Sequence, residues 1–379
     1  MKRISLIVKV TNGCNLRCKY CYNGGAGFSN EVLKIEHFKK MLSLLGDEYD
    51  EATLIWHGGE PLTAGKEYYK KAMEIEEEIS LLKDIKFDNR VQTNGTLIDK
   101  DWIKFFKKHG FKLGLSYDGV DNDAYRQQGE KVLKNMDLLK KNGIRFGVIA
   151  VVVNDEYDLK KNYEFFKNRN TWFEFSHMIP EGSGKDLAQV GAEEYAKKMI
   201  NFFDEWIYDR DGVGVRTFQS YMIMALGGKA RVCDNSSCHG RYLCIAPDGS
   251  IFNCSRGSAH EYSFGHIDEI ESVKEAFNSD GFKKLLIGSI TRRNKCKSEC
   301  EYFDLCKGGC ADAAICAGNI NEPSPYACTL FKKLYKHIKA KMDEIVEKNI
   351  PLDNFNPAVR EAFASKLSAT EKCIHNEEV

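Results

Sequence analysis

No stretch of this chain approaches the roughly 18 uninterrupted apolar residues that a membrane span requires. Its first ten residues, MKRISLIVKV, are charged and then alternate as a strand does, with neither the apolar run nor the cleavage site of a signal peptide. Net charge is absent too: 55 basic residues stand against 55 acidic ones, so no overall field draws the chain to nucleic acid or an anionic membrane. There is no internal repeat and no low-complexity linker. Membrane, secreted and nucleic-acid-binding classes are thereby set aside, and a soluble cytoplasmic protein is expected. Its 379 residues give room for one large domain plus a smaller one.

One more absence is informative. The chain holds 14 cysteines, yet none lies between Tyr22 and Val232. Three stand at Cys14, Cys18 and Cys21, ten run from Cys233 to Cys328, and Cys373 is alone. A disulfide framework would not need that empty middle, and the cytosol keeps thiols reduced. Two groups of thiols in two regions point to metal ligation at two kinds of site.

The first two hundred residues alternate strand and helix. Strand-like runs are Ile4–Val10, Ala52–Trp56, Phe87–Gln92, Lys112–Ser116, Phe146–Val153 and Trp172–His177, with amphipathic stretches near 31–45, 66–80, 99–109, 131–143, 156–169 and 192–210. Six such units predict an α/β fold with a parallel sheet, whose chemistry lies at the carboxyl ends of the strands. After about residue 230 cysteine, glycine and short hydrophilic segments are expected in place of long helices, until helical periodicity returns from Leu330 to about Lys348. Residues 181–185 read as a loop near the active site.

Cys14-Asn-Leu-Arg-Cys18-Lys-Tyr-Cys21 follows the first strand directly with C-x3-C-x2-C spacing. Three thiolates so close can each hold one iron of a cubane cluster and leave the fourth iron open, as a substrate-binding metal centre requires. A zinc loop completed by a distant His or Cys is the plainer alternative. The stretch resembles the signature of the radical S-adenosylmethionine (SAM) superfamily. His57-Gly58-Gly59-Glu60-Pro61 is similar to that family's Gly-Gly-Glu-Pro turn, and Thr93-Asn94-Gly95-Thr96 and Leu115-Ser116-Tyr117-Asp118-Gly119 to its third- and fourth-strand motifs. The resemblance implies a partial (β/α)6 barrel, a SAM-binding [4Fe-4S] cluster on Cys14, Cys18 and Cys21, and reductive cleavage of SAM to a 5′-deoxyadenosyl radical. It further implies SAM contacts at Gly58, Gly59, Glu60, Pro61, Thr93, Asn94, Ser116, Asp118 and Arg126, with Tyr22 flanking the adenine.

The later cysteines fall into Cys233-x4-Cys238, then Cys254 behind a Pro247-Asp248-Gly249 hairpin turn, then Cys296-x3-Cys300-x5-Cys306-x3-Cys310, and Cys328. Taken alone, such pairs suit zinc as well as iron–sulfur. The order resembles the SPASM extension of radical SAM peptide maturases, although the second pair is x3 apart where the family pattern is usually x2. The resemblance implies two auxiliary [4Fe-4S] clusters, one on Cys233, Cys238, Cys254 and Cys310, the other on Cys296, Cys300, Cys306 and Cys328. Cys244 then reads as a buried apolar residue, Cys316 as an alternative ligand, and Cys373 as a free tail thiol. The expected domains are residues 1–230 (barrel with bridging region), 231–330 (SPASM) and 331–379 (helix and polar tail).

His57 and His177 end core strands and are the candidate catalytic side chains, although a lone histidine there more often packs or hydrogen-bonds. The organisation, including Cys306-Lys-Gly-Gly-Cys310, is also similar to anaerobic sulfatase-maturating enzymes, which oxidise Cys or Ser to formylglycine. Those place an aspartate, the proposed proton acceptor, directly after the cysteine that here is Cys254; this chain has Ser255. That departure favours a maturase that installs an oxidative crosslink (thioether, C–C or C–O) in a ribosomally made peptide. Sulfatase maturation is the alternative, and a non-catalytic iron–sulfur or zinc protein the second. Implied partners are a precursor peptide and a flavodoxin- or ferredoxin-type electron donor. With the first strand starting at about residue 3, leader recognition is expected to use the barrel mouth, the SPASM surface, the tail or a separate leader-binding protein.

Overall fold

The structure, a computed structural model, describes residues 2–26, 29–230, 232–233, 238–256 and 260–364. Six parallel strands pair in chain order: β1 (Arg3–Thr11), β2 (Glu51–Gly58), β3 (Lys86–Thr93), β4 (Lys112–Ser116), β5 (Phe146–Val152) and β6 (Phe173–His177). In β1 the period-two pattern buries Ile4, Leu6, Val8 and Val10 in the main apolar core, which turns Arg3, Ser5, Ile7 and Lys9 to the opposite face. Helices Ile35–Glu48, Lys66–Lys83, Lys100–Lys108, Gly129–Lys141 and Leu159–Asn168 carry the chain back between strands. Asp99 and Asp158 cap two of them by accepting from Trp102 N and Lys161 N, each such cap being worth about 1 kcal/mol.

The sheet does not close on itself. Its order is β6-β5-β4-β3-β2-β1-β7-β8, which is the expected partial barrel. The outer edge of β1 is taken by β7 (Tyr242–Ile245), parallel to it with Ser5 opposite Tyr242 and Val8 opposite Ile245; β8 (Ile251–Phe252) returns antiparallel. The hairpin turn forms as expected, with Gly249 at φ +91° and Ser250 N donating to Asp248 Oδ1 at 3.0 Å. Cys244 is buried with Ile7 and Phe252, and burial pushes its thiol up to about 12.

Beyond residue 230 the expectation of short segments alone is corrected by a 20-residue helix, Asp280–Glu299. Ser279 caps it, and the buried Arg292 anchors it by donating to the carbonyls of Gly308 and Ile320 at 2.9 and 2.6 Å. Lysines and arginines on several faces leave it little apolar periodicity, the signal on which sequence recognition depends. The last long helix, Pro325–Glu347, begins before the expected Leu330 because Ser324 caps it, and so Cys328 falls in its first turn. Among the described residues no helix is long and apolar enough to cross a membrane.

Candidate active site

The turn after β2 is shaped by what lies under it. Gly58 has φ +129°, and a Cβ there would stand 2.2 Å from the Thr11 carbonyl oxygen; one on Gly59 would stand 2.3 Å from that of Gly13. Only glycine permits this approach, in which Gly59 N donates to Thr11 O at 2.8 Å and Glu60 N to Gly13 O at 2.9 Å. The turn therefore clamps the segment that enters Cys14. Glu60, wholly buried, clips it to β3: its carboxylate accepts from Leu62 N at 3.1 Å, Thr93 Oγ1 at 2.7 Å and Asn94 N at 2.7 Å. Asn94 passes the connection on, its Nδ2 lying 2.9 Å from Asn15 Oδ1 and 3.8 Å from Cys14 Sγ.

Cys14, Cys18 and Cys21 line one end of a cavity of about 340 Å³ at the carboxyl ends of the strands. Burial pushes the Cys18 thiol up to about 11, with Arg126 opposing and the charges of Cys21 and Cys14 adding to the rise. Metal coordination deprotonates such thiols outright, and Leu16 N, 3.3 Å from Cys14 Sγ, is placed to support a thiolate. Of the expected SAM contacts, Tyr22, Gly58, Gly59, Thr93, Asn94, Ser116 and Arg126 line this cavity, as do His57 and His177. Glu60, Pro61 and Asp118 are buried outside its lining.

Asp118 acts through others. It accepts from Tyr20 OH at 2.5 Å and Val151 N at 2.9 Å, while Arg126 Nη1 donates to Tyr20 OH at 2.6 Å. Tyr20 is thus the aromatic that fixes Arg126, a residue that sequence reasoning passed over and that no local signal separates from Tyr22. Tyr22 serves a different group. Its ring lies 5.9 Å from the Arg256 guanidinium, and its hydroxyl lies 3.4 Å from His57 Nδ1 and hydrogen-bonds Ser255. Gly58 N also donates to that Nδ1 at 2.8 Å, which leaves the His57 proton on Nε2. Burial, then Lys9 and Arg256, hold His57 down to about 4, so it is neutral at pH 7. The His177 ring packs against Tyr326, tilted 33° with centroids 5.0 Å apart. Glu174, the only carboxylate among the described lining residues, pairs with Arg216 at 3.4 Å.

The remaining thiols gather in two places. Cys306 is pushed up to about 11 by burial and then by Cys328, with Cys296 adding; Cys328 is raised by burial, with Cys296 and Cys300 adding. Those four are one expected ligand set. Cys254 is pushed up to about 11 by burial and then by Asp312, with Cys238 adding, and Asn253 Nδ2 donates to Cys238 Sγ at 3.1 Å. Arg292 feels the charges of Cys310, Cys296 and Cys238, so one buried cation stands among thiols of both sets. Cys233 is exposed and lines the cavity. Soft thiolates in convergent sets of this kind suit four-iron clusters. Cys316 has its sulfur within 4.8 Å of carboxylate oxygens of Glu181 and Asp312, and the charge of the same Asp312 acts on Cys254 and Cys238. The loop after Glu181 packs on the cluster segment through Ser183 N, which donates to Cys21 O at 2.9 Å. Cys373 lies outside the described residues.

A parallel sheet ending on a three-thiol loop, with further convergent thiols beyond it, is the arrangement that a redox enzyme of iron–sulfur type requires. Residues 8–164 match the family model of the Radical SAM superfamily, and residues 233–311 match SPASM, an iron–sulfur cluster-binding domain. The chain belongs to the radical SAM enzymes that carry a SPASM domain, and the non-catalytic reading falls away. It is 28% identical over 363 residues to a cysteine-type anaerobic sulfatase-maturating enzyme of Clostridium perfringens, covering 89% of this chain and 96% of that one. To a serine-type anaerobic sulfatase-maturating enzyme of Bacteroides thetaiotaomicron it is 29% identical over 372 residues, covering 87% and 88%. The solved structure of anSMEcpe with bound AdoMet and the Cp18Cys peptide matches with a TM-score of 0.79 at 28% identity, covering 92% of this chain and all of that one.

Proposed function

We propose that this chain is a peptide maturase, which takes a hydrogen atom from a ribosomally made precursor peptide and closes the product radical into an oxidative crosslink. Cys14, Cys18 and Cys21 would hold the SAM-binding cluster, and the two sets of four later cysteines would hold two auxiliary clusters. When bound, these groups would supply reductive SAM cleavage, driven by one electron from a flavodoxin- or ferredoxin-type donor, and a sink for the electron the substrate radical gives up as the crosslink closes, the other substrate electron leaving with the hydrogen atom. The protein's own work is placement. Arg126, fixed by Tyr20, presents a cation to the cavity; Gln92 Nε2 holds Ser116 Oγ at 2.9 Å; neutral His57 offers an Nε2–H donor.

The crosslink reading rests on Ser255. It stands where sulfatase maturases are expected to carry an aspartate, and its hydroxyl is engaged by Tyr22. A serine without an activating partner does not take a proton at neutral pH, and Glu174 is held by Arg216. Similarity across 96% of the cysteine-type sulfatase-maturating enzyme favours formylglycine formation as the second reading. The test incubates the reduced enzyme with SAM and candidate short peptides encoded by neighbouring genes. A crosslink removes about 2 Da, leaves no hydrazine-reactive aldehyde and, for a thioether, removes one alkylatable thiol. An aldehyde-positive product from the unmodified enzyme transfers the assignment to formylglycine, and aldehyde that Ser255→Asp creates or improves on a sulfatase-derived Cys peptide marks a formylglycine generator missing its base.

A further inference from the structure

A second cavity, of about 670 Å³, opens toward the amino ends of β1 and β2, where Arg3, Ser5 and Thr53 line it. It meets the first at Cys233, which lines both. Its lining is strongly one-sided in charge: Arg3, Arg216, Lys229, Arg241, Arg293 and Lys307 face a single described carboxylate, Asp304. Arg3 is paired with Glu51 at 2.6 Å, Arg216 with Glu174 at 3.4 Å and Lys307 with Asp304 at 3.6 Å. Lys229, Arg241 and Arg293 make no ion pair among the described residues. In a chain of zero net charge such a concentration is not a compositional default.

We propose that this groove seats an acidic stretch of the substrate peptide, flanking the residue that enters the radical cavity; the proposal rests on the peptide-maturase reading. Two observations select a peptide over a folded acidic redox partner. The space is concave and partly walled by inward-facing strand residues, which an extended chain can enter and a convex protein surface cannot. It also adjoins the reaction cavity, with Cys233 lining both, so a chain seated here can place a neighbouring residue in that cavity. Clustered cations in a cleft focus their field, and complementary charge sets register and on-rate.

The test uses the reconstituted, SAM-loaded full chain and two fluorescent synthetic peptides, each with one Cys beside a run of Asp and Glu or of the matching Asn and Gln. At low salt the acidic peptide binds about tenfold tighter by anisotropy, the sum of three modest charge contributions, and near 0.5 M salt the advantage disappears. Lys229→Ala/Arg241→Ala/Arg293→Ala abolishes the advantage while peptide-free release of 5′-deoxyadenosine with dithionite is unchanged, which shows the variant is folded. Equal affinity for the two peptides overturns the proposal. So does a variant that keeps the acidic preference but is reduced more slowly by an acidic flavodoxin and normally by dithionite, since the groove would then serve the electron donor. Binding is read without turnover, so the identity of the product, crosslink or aldehyde, does not enter the result.

Discussion

Replacing Glu60 by Ala removes a wholly buried acceptor from three donors, Leu62 N, Thr93 Oγ1 and Asn94 N. The Thr93 hydroxyl can rotate to another acceptor, but the two backbone N–H groups cannot. Each buried donor left unsatisfied costs about 1–3 kcal/mol, which gives about 4 kcal/mol for the pair. Burial raises the Glu60 pKa against the help of those same bonds, so the carboxylate carries its own desolvation cost, and removing it returns part of the loss. A net loss of about 3 kcal/mol remains, a large share of the ~5–15 kcal/mol typical of a domain. Glu60→Gln keeps one acceptor atom and should lose about half as much. The assay is anaerobic urea denaturation of the metal-free, reduced protein, with iron content after reconstitution and SAM affinity by equilibrium dialysis. Stability, iron and SAM affinity should fall together, because the loosened turn is the one that clamps Thr11–Gly13. An iron-replete Glu60→Ala protein with an unchanged midpoint that has lost only SAM affinity would refute the reasoning, since the carboxylate would then reach the cofactor itself.

Anaerobically reconstituted enzyme should hold about twelve irons and twelve sulfides, and the Cys14→Ala/Cys18→Ala/Cys21→Ala variant about eight; stoichiometric zinc without sulfide contradicts this. Gly59→Ala, which drives a methyl group into the Gly13 carbonyl, should fall to the same content of about eight irons, and full loading would show that the turn does not hold the cluster loop. His57 predicts a pH dependence: the unfolded imidazole titrates near 6.5 and the folded one near 4. Between those values the unfolded state binds more protons, so stability falls with falling pH, by roughly 3 kcal/mol across the window. His57→Gln should flatten that slope in metal-free protein, and denaturation midpoints that follow the parent enzyme at every pH would place the titration elsewhere.

The six core strands were legible because apolar residues alternate in β1 and run together in β5 and because glycine marks the turn after β2. The first cysteine loop stood out by its spacing, three thiols within eight residues directly after a strand. Residues that act through a neighbour were less so. Glu60 and Asp118 occupy motif positions, yet only tertiary structure shows their carboxylates turned to Thr93 and Asn94, or to Tyr20, and not lining the cavity. Tyr22 and Tyr20 differ by two positions, and nothing local reveals that the first faces Ser255 while the second holds Arg126. Asp280–Glu299 was hidden because Arg292 ties it to loop carbonyls in place of an apolar stripe. Asp312 lies one helical turn before Cys316, but the approach of Glu181 to that pair joins segments far apart in the chain and leaves no trace in either.

The pairing of β1 with β7 also bears on how the protein is made. Ser5 and its partner Tyr242 leave the ribosome more than two hundred residues apart, and contacts of such separation form late. Until then one side of β1 shows a row of open N–H and C=O groups, a template for aggregation. Nascent chains of the barrel half therefore pass through a state with that edge open, and an expression fragment ending ahead of β7 keeps the SAM-side loops but exposes that edge permanently. The cysteine-rich half acts as a chain-completion check: until β7 has been synthesised and docked, the strand that leads into the first cluster loop stays unsealed.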